Sequence, residues 1–204
     1  MTPACEATQM QTQTLSQDRV MKIISVQVGR PRTVRWHGKT ASTGIYKMPV
    51  SGRIMARRFN LEGDEQADRT VHGGRDKAIY VYPSEHYAFW RQEFPDRPMT
   101  YGMFGENLTT EGLDERSVRI GDRFRIGHAV VEVTQPRVPC YKLGIRFDRP
   151  DMPKRFHASR RCGFYLAVLQ EGTVGAGDVW ELISRDEAGV SVAEGYRRYF
   201  QDGP

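Results

Sequence analysis

The sequence predicts a mainly β fold with α additions: a β-barrel followed by a short C-terminal helix. Three observations carry this. Short apolar and β-branched runs recur along the 204 residues, glycine-rich turns separate them, and helical spacing appears in only two or three places.

Residues 1–20 are rich in Thr and Gln and poor in large apolar side chains, which reads as a disordered leader. They have neither the apolar core of a secretory signal nor the arginine richness of a transit peptide. Met21 is a candidate start, because residues 22–28 form the first convincing strand. The barrel is expected over residues 21–184 and a helical segment over 185–204. A loop rich in Arg and Gly leads to Gly44-Ile45-Tyr46-Lys47-Met48-Pro49-Val50, and residues 54–59 read as a second strand. A polar loop then ends in Val71-His72-Gly73-Gly74-Arg75, where paired glycines permit positive φ and a nest of backbone N–H groups.

Residues 78–82 are a strand by composition. Ser84 can cap the helix that follows, which places Tyr87, Trp90 and Phe94 on one face and Glu85 and His86 on the wet side. Gly102 and Gly105 bracket a second unusual loop, which ends in Asn107. Residues 123–126 and 129–134 read as two strands joined by a turn, and Cys140 is followed by a loop and a short helix over 154–158. Residues 164–169 and 179–183 are strands, with turns between them. Ser191 and Glu194 match a capping box, and Val192, Tyr196, Tyr199 and Phe200 form a helical stripe. That stripe needs cover, from the barrel or from the second subunit of a homodimer.

Composition narrows the function. A formal charge of +5 and a pI near 9.2 suit a small anionic ligand. The charges are scattered without a Lys/Arg block, so no nucleic-acid partner is expected. Cys5, Cys140 and Cys162 show no CxxC spacing, which argues against a zinc module or a disulfide scaffold and fits a reducing, cytoplasmic location. No apolar run has the length of a membrane span, so no membrane partner is expected.

The chemically distinctive stretch is Gln135-Pro136-Arg137-Val138-Pro139-Cys140-Tyr141-Lys142-Leu143. Two prolines stiffen a strand exit and give the thiol a defined direction. Arg137 and Lys142 supply positive charge that favours a thiolate, a nucleophile and soft metal ligand. The alternative is a buried, inert cysteine.

Taken in order, five blocks resemble the MOSC-domain family, specifically its YiiM-like branch. They are Gly44 to Val50, Gly63-Asp64 through His72-Gly73-Gly74-Arg75-Asp76-Lys77-Ala78, Gly105-Glu106-Asn107-Leu108-Thr109, Ile120-Gly121-Asp122 and the Cys140 stretch. The resemblance implies a MOSC-type β-barrel, a molybdenum cofactor and reduction of N-hydroxylated bases such as hydroxylaminopurines. It implies that Cys140 is the catalytic cysteine and metal ligand. Lys47, His72, the Gly73 and Gly74 amides, Asn107, Arg137, Lys142 and Arg161 are the candidate contacts to the anionic cofactor. The branch usually carries a three-helix appendage, whereas one helix fits between Ser191 and Pro204. The chain lacks a GxGxxG fingerprint, so electrons are expected from a separate flavin or iron–sulfur reductase. Two other readings stay open. One is a sulfur carrier, or a cofactor-binding protein without redox turnover, with a persulfide on Cys140. The other is cysteine–histidine catalysis with His72 as base.

Overall fold

The structure, a computed structural model, describes residues 20–67 and 73–201. Residues 1–19 of the expected leader and His72 lie outside the described residues. Strand β1 is Lys22–Val28; β2 (Arg32–Trp36) and β3 (Lys39–Thr43) form a hairpin; β4 (Met48–Pro49) and β5 (Ile54–Ala56) are short. A 3-10 turn, Arg75–Lys77, precedes β6 (Ile79–Pro83), and α1 (Glu85–Glu93) precedes β7 (Leu108–Glu111). Then come β8 (Arg123–Ile126), β9 (Ala129–Pro136), α2 (Tyr141–Phe147) and α3 (Met152–Ser159). The chain continues through β10 (Phe164–Gln170), β11 (Gly172–Val174), β12 (Trp180–Ser184) and α4 (Val192–Gln201).

Eight strands form one sheet in the order β12-β8-β9-β10-β6-β7-β1-β4, antiparallel except for β6 and β7. The sheet curls, because the residue before β12 returns to β1. Val179 bridges Lys22, and Trp180 N donates to Met21 O at 2.9 Å. The mainly β architecture with α additions is therefore as expected. Period-two alternation sets the inner face: Phe124, Ile126, Val131 and Val133 are buried. Helices α1 and α3 add aromatic rings to this core, where Trp90 stacks on Phe156 at 6.0 Å and Tyr82 lies 4.5 Å from Phe104.

The structure departs from the sequence expectation in several places. The loop before Gly44 holds the β2–β3 hairpin, whose two-residue turn places His37 and Gly38 at φ 47° and 75°. This is the turn geometry of a tight hairpin, but its strands are largely exposed and so lack apolar alternation. Trp36 anchors the hairpin to α2. Its Nε1 donates to Asp148 Oδ1 at 3.2 Å, and a Cβ on Gly144 would meet its ring at 3.0 Å. Helix α2 replaces the loop expected after Cys140; Gly144, a poor helix former, hid it. The second strand stops at Ala56, and β11 pairs with it. Ser84 precedes α1 but makes no side-chain cap. Glu85 and His86 are not on a wet face, since Glu85 accepts from Gly112 N and His86 pairs with Glu115 at 2.8 Å.

Helix α4 packs beside β9. Ser191 Oγ accepts from Glu194 N at 3.2 Å, half of the capping box, while the Glu194 carboxylate pairs with Arg197 and Arg198. Val192 and Tyr196 are buried, and Tyr196 Oη meets His157 Nδ1 at 3.1 Å. Tyr199 and Phe200 stay about two-fifths exposed. No helix among the described residues is long and apolar enough to cross a membrane.

If α4 is an integral layer, Tyr196→Ala should cost about 3 kcal/mol in urea unfolding, the scale of a large aromatic truncation in a core. A loss below about 1 kcal/mol, the scale of a surface change, would show a loosely attached helix.

Candidate functional site

One cavity collects the functional groups. Its wall includes Lys47, Asp64, Lys77, Tyr80, Asn107, Arg137, Cys140, Lys142 and Tyr165. The segment carrying Lys47 crosses the loop of residues 102–106. Gly105, at φ 78°, permits that approach, because a Cβ there would lie 2.9 Å from Ile45 Cγ1.

A buried ion pair sets one wall. Lys47 Nζ lies 2.5 and 2.6 Å from the two Asp64 oxygens. Asp64 also accepts from Gly29 N at 2.8 Å and from Asn107 Nδ2 at 2.9 Å. Burial draws the Lys47 pKa down, while the Asp64 and Glu106 charges oppose that shift. Asn107 is equally committed: its Nδ2 also donates to Gln27 O at 3.3 Å, and its Oδ1 accepts from Tyr80 N at 3.1 Å. Both side chains border the cavity, but their hydrogen-bonding capacity is turned toward protein partners.

The opposite charges are not matched in this way. Arg137 leaves β9 after Pro136 and is 6% exposed, and Lys142, in the first turn of α2, is 8% exposed. Among the described residues neither has a carboxylate partner. The Arg137 guanidinium lies 4.9 Å from the Tyr80 ring and 5.1 Å from the Phe156 ring. Burial disfavours its charge, yet Tyr80, Tyr165 and Cys140 hold its pKa above the ordinary value. It is a cation at any physiological pH.

Cys140 sits at the N-cap of α2 in extended backbone, partly exposed at the cavity wall. Cys162 is fully buried, and burial followed by the Glu115 charge pushes its thiol pKa far up. Its carbonyl accepts from Tyr80 Oη at 2.8 Å, a structural role.

Of the expected contacts, Lys47, Asn107, Arg137, Cys140 and Lys142 converge here. Gly74, at φ 95°, opens the 3-10 turn that carries Lys77 to the wall, but neither Gly73 nor Gly74 is on it. Arg161 is elsewhere. Its guanidinium stacks 4.0 Å over Phe89 and donates to Ser159 O at 2.9 Å, in a separate groove, so it is corrected to a packing residue. Sequence reasoning missed Asp64, Lys77, Tyr80 and Tyr165. Asp64 and Lys77 lie in one of the blocks that carry the family resemblance, which marked the segment but not the role of either side chain. Among the described residues no cluster of three or more His, Cys, Asp or Glu could hold a metal.

Two outcomes check this geometry. Asp64→Asn should destabilise the protein by about 3 kcal/mol in guanidinium unfolding, because it strips a buried cation of its counter-charge; a loss near zero would show that the pair is not a structural clasp. Iodoacetamide at pH 8 should alkylate Cys140 and leave Cys162 unmodified by peptide mass spectrometry. Modification of Cys162 first would contradict the burial pattern.

Comparison with known proteins agrees with this architecture. Residues 68–181 match the MOSC domain model. The chain is 47% identical over 180 residues to YflK of Bacillus subtilis, covering 88% of this chain and 81% of that protein. It is 36% identical over 166 residues to a protein named Reductase from Gibberella moniliformis, covering 80% of this chain but only 29% of that longer protein. The crystal structure of YiiM from Geobacillus stearothermophilus superposes with a TM-score of 0.74 at 36% identity, covering 89% of this chain and 85% of that one. On this domain match, these identities and this shared fold, the chain belongs to the MOSC-domain family and is YiiM-like.

Proposed function

We propose that the protein is a molybdenum cofactor-dependent reductase of N-hydroxylated compounds such as hydroxylaminopurines. The observation that supports this most is a partly exposed thiol, Cys140, on a cavity where the buried cations Arg137 and Lys142 make no ion pair with a carboxylate among the described residues. Desolvated cations need compensating charge, and an anionic ligand supplies it. The donor set fits a pterin dithiolene cofactor: a soft thiolate for the metal and cations for the phosphate. Cys140 would be the protein ligand, and Arg137, Lys142 and Lys77 would hold the anionic groups. When bound, the cofactor supplies a two-electron redox couple and an oxygen-accepting centre that no side chain here provides.

The chain's own residues do the rest. Lys47, fixed by Asp64, positions the wall rather than binding the anion. Tyr80 and Phe104 keep water from the inner cavity. Burial raises the Tyr165 pKa even against the Arg137 charge, so its phenol keeps its proton on Oη and can donate it at the cavity wall. The overall conversion takes R–NHOH, two electrons and two protons to R–NH2 and water. A separate flavin or iron–sulfur reductase provides the electrons, which the basic surface would attract through salt-sensitive steering. The reductase name of the fungal relative supports the reaction class. The three cysteines, without CxxC spacing, support a reducing, cytoplasmic setting.

Protein made in cells that synthesise the cofactor should contain molybdenum and reduce a hydroxylaminopurine with an artificial electron donor, but not with NADPH alone. Cys140→Ser should keep its melting temperature and lose at least about a hundredfold in rate, the scale of losing a group that acts at the reacting centre. Undiminished turnover by Cys140→Ser would refute the assignment. Cyanide-labile sulfur on Cys140 without molybdenum would favour the sulfur-carrier role.

A further inference from the structure

Unmatched positive charge extends beyond the Cys140 cavity. Tyr46 lies between the cavity residues Ile45 and Lys47, and two arginines approach its ring. Arg32, from β2, has its guanidinium carbon 3.3 Å from the ring centroid, and Arg146, from α2, lies at 5.0 Å. Arg146 follows Lys142 by four residues, so both occupy one face of the helix, roughly 6 Å apart along its axis. The cations thus continue in a row from the thiol.

Among the described residues neither arginine has a carboxylate partner. Glu106 is the acidic group whose field reaches Arg146, but its oxygens are already taken. They accept from Gly102 N at 2.7 Å, Phe104 N at 3.1 Å, Thr109 Oγ1 at 3.2 Å and the Tyr87 hydroxyl. The Arg146 Nε is buried without an acceptor. Burial and then the like charge of Arg32 work against the Arg146 cation, and the Tyr46 ring face offsets only part of this cost. Arginine pairs suit phosphate because their planar forks match its oxygens.

We propose that Arg32 and Arg146, which both lie against Tyr46, form a phosphate subsite beside the Cys140 cavity. With the reductase reading above, on which this identification of the ligand rests, the substrate is an N-hydroxylated nucleoside monophosphate rather than a free base. Phosphate binding itself does not depend on that reading.

The test uses full-length protein prepared without molybdenum, titrated calorimetrically with AMP, adenosine and inorganic phosphate. AMP should bind about tenfold or more tightly than adenosine, and inorganic phosphate should compete with it. Arg146→Gln and Arg32→Gln should each remove roughly tenfold of the AMP preference, with unchanged thermal melts. Should Arg146→Gln fail to fold, the exposed Arg32 carries the test. Equal affinity for AMP and adenosine, or a preference unchanged in the variants, overturns the proposal. Because no metal or turnover is involved, this failure is separate from failure of the reductase reading. Molybdenum content of Arg146→Gln from cofactor-producing cells then decides the source of the phosphate. Retained metal supports a substrate phosphate; lost metal assigns the subsite to the cofactor and overturns the substrate assignment.

Discussion

The buried ion pair between Lys47 and Asp64 is the constraint on which the site depends. Through Asp64 it ties three distant segments together: Gly29 just after β1, the segment carrying Lys47, and Asn107 just before β7. Asn107 then reaches β6 through Tyr80 N and β1 through Gln27 O. Such a pair adds little net stability over an apolar packing, but losing either partner leaves an uncompensated buried charge. The wall is therefore specified as a unit. Glu106 does similar work one residue earlier in the chain by holding the backbone of Gly102 and Phe104.

The contrast between matched and unmatched cations gives the cavity its chemistry. Lys47 is neutralised by a carboxylate, while Arg137 and Lys142 are buried beside Cys140 with none among the described residues. In the proposed function an anionic ligand offsets this desolvated charge. Cys162 marks the other limit. It is a thiol of the same chain, enclosed in the core, with its pKa driven up and its carbonyl used to hold Tyr80.

Much of this was legible in the sequence, and the failures have physical causes. The hairpin of β8 and β9 follows its apolar alternation closely, and β1 was marked by its β-branched apolar run although a bulge between Ile23 and Ser25 breaks its alternation. The β2–β3 hairpin escaped because its side chains are exposed on both faces, leaving only the turn at His37-Gly38 as a cue. Helix α2 escaped because Gly144 and the nearby prolines resemble loop punctuation, although Leu143, Ile145 and Phe147 are all buried. In the site, the rigid Cys140 stretch announced itself, whereas Asp64 did not, since a carboxylate's role depends on partners distant in sequence. Arg161 was misplaced for a related reason: proximity to a cysteine in sequence did not put it in the cavity, because Phe89 captured it.

In the proposed function, Cys140 would supply a sulfur ligand to the metal, and Arg137 and Lys142 would hold the cofactor's anionic groups. X-ray absorption at the molybdenum edge tests it most directly, on loaded wild-type and Cys140→Ser protein. Wild-type protein should show a cysteinyl sulfur in the metal shell, and the variant should lose it. An identical sulfur shell in both proteins would contradict it.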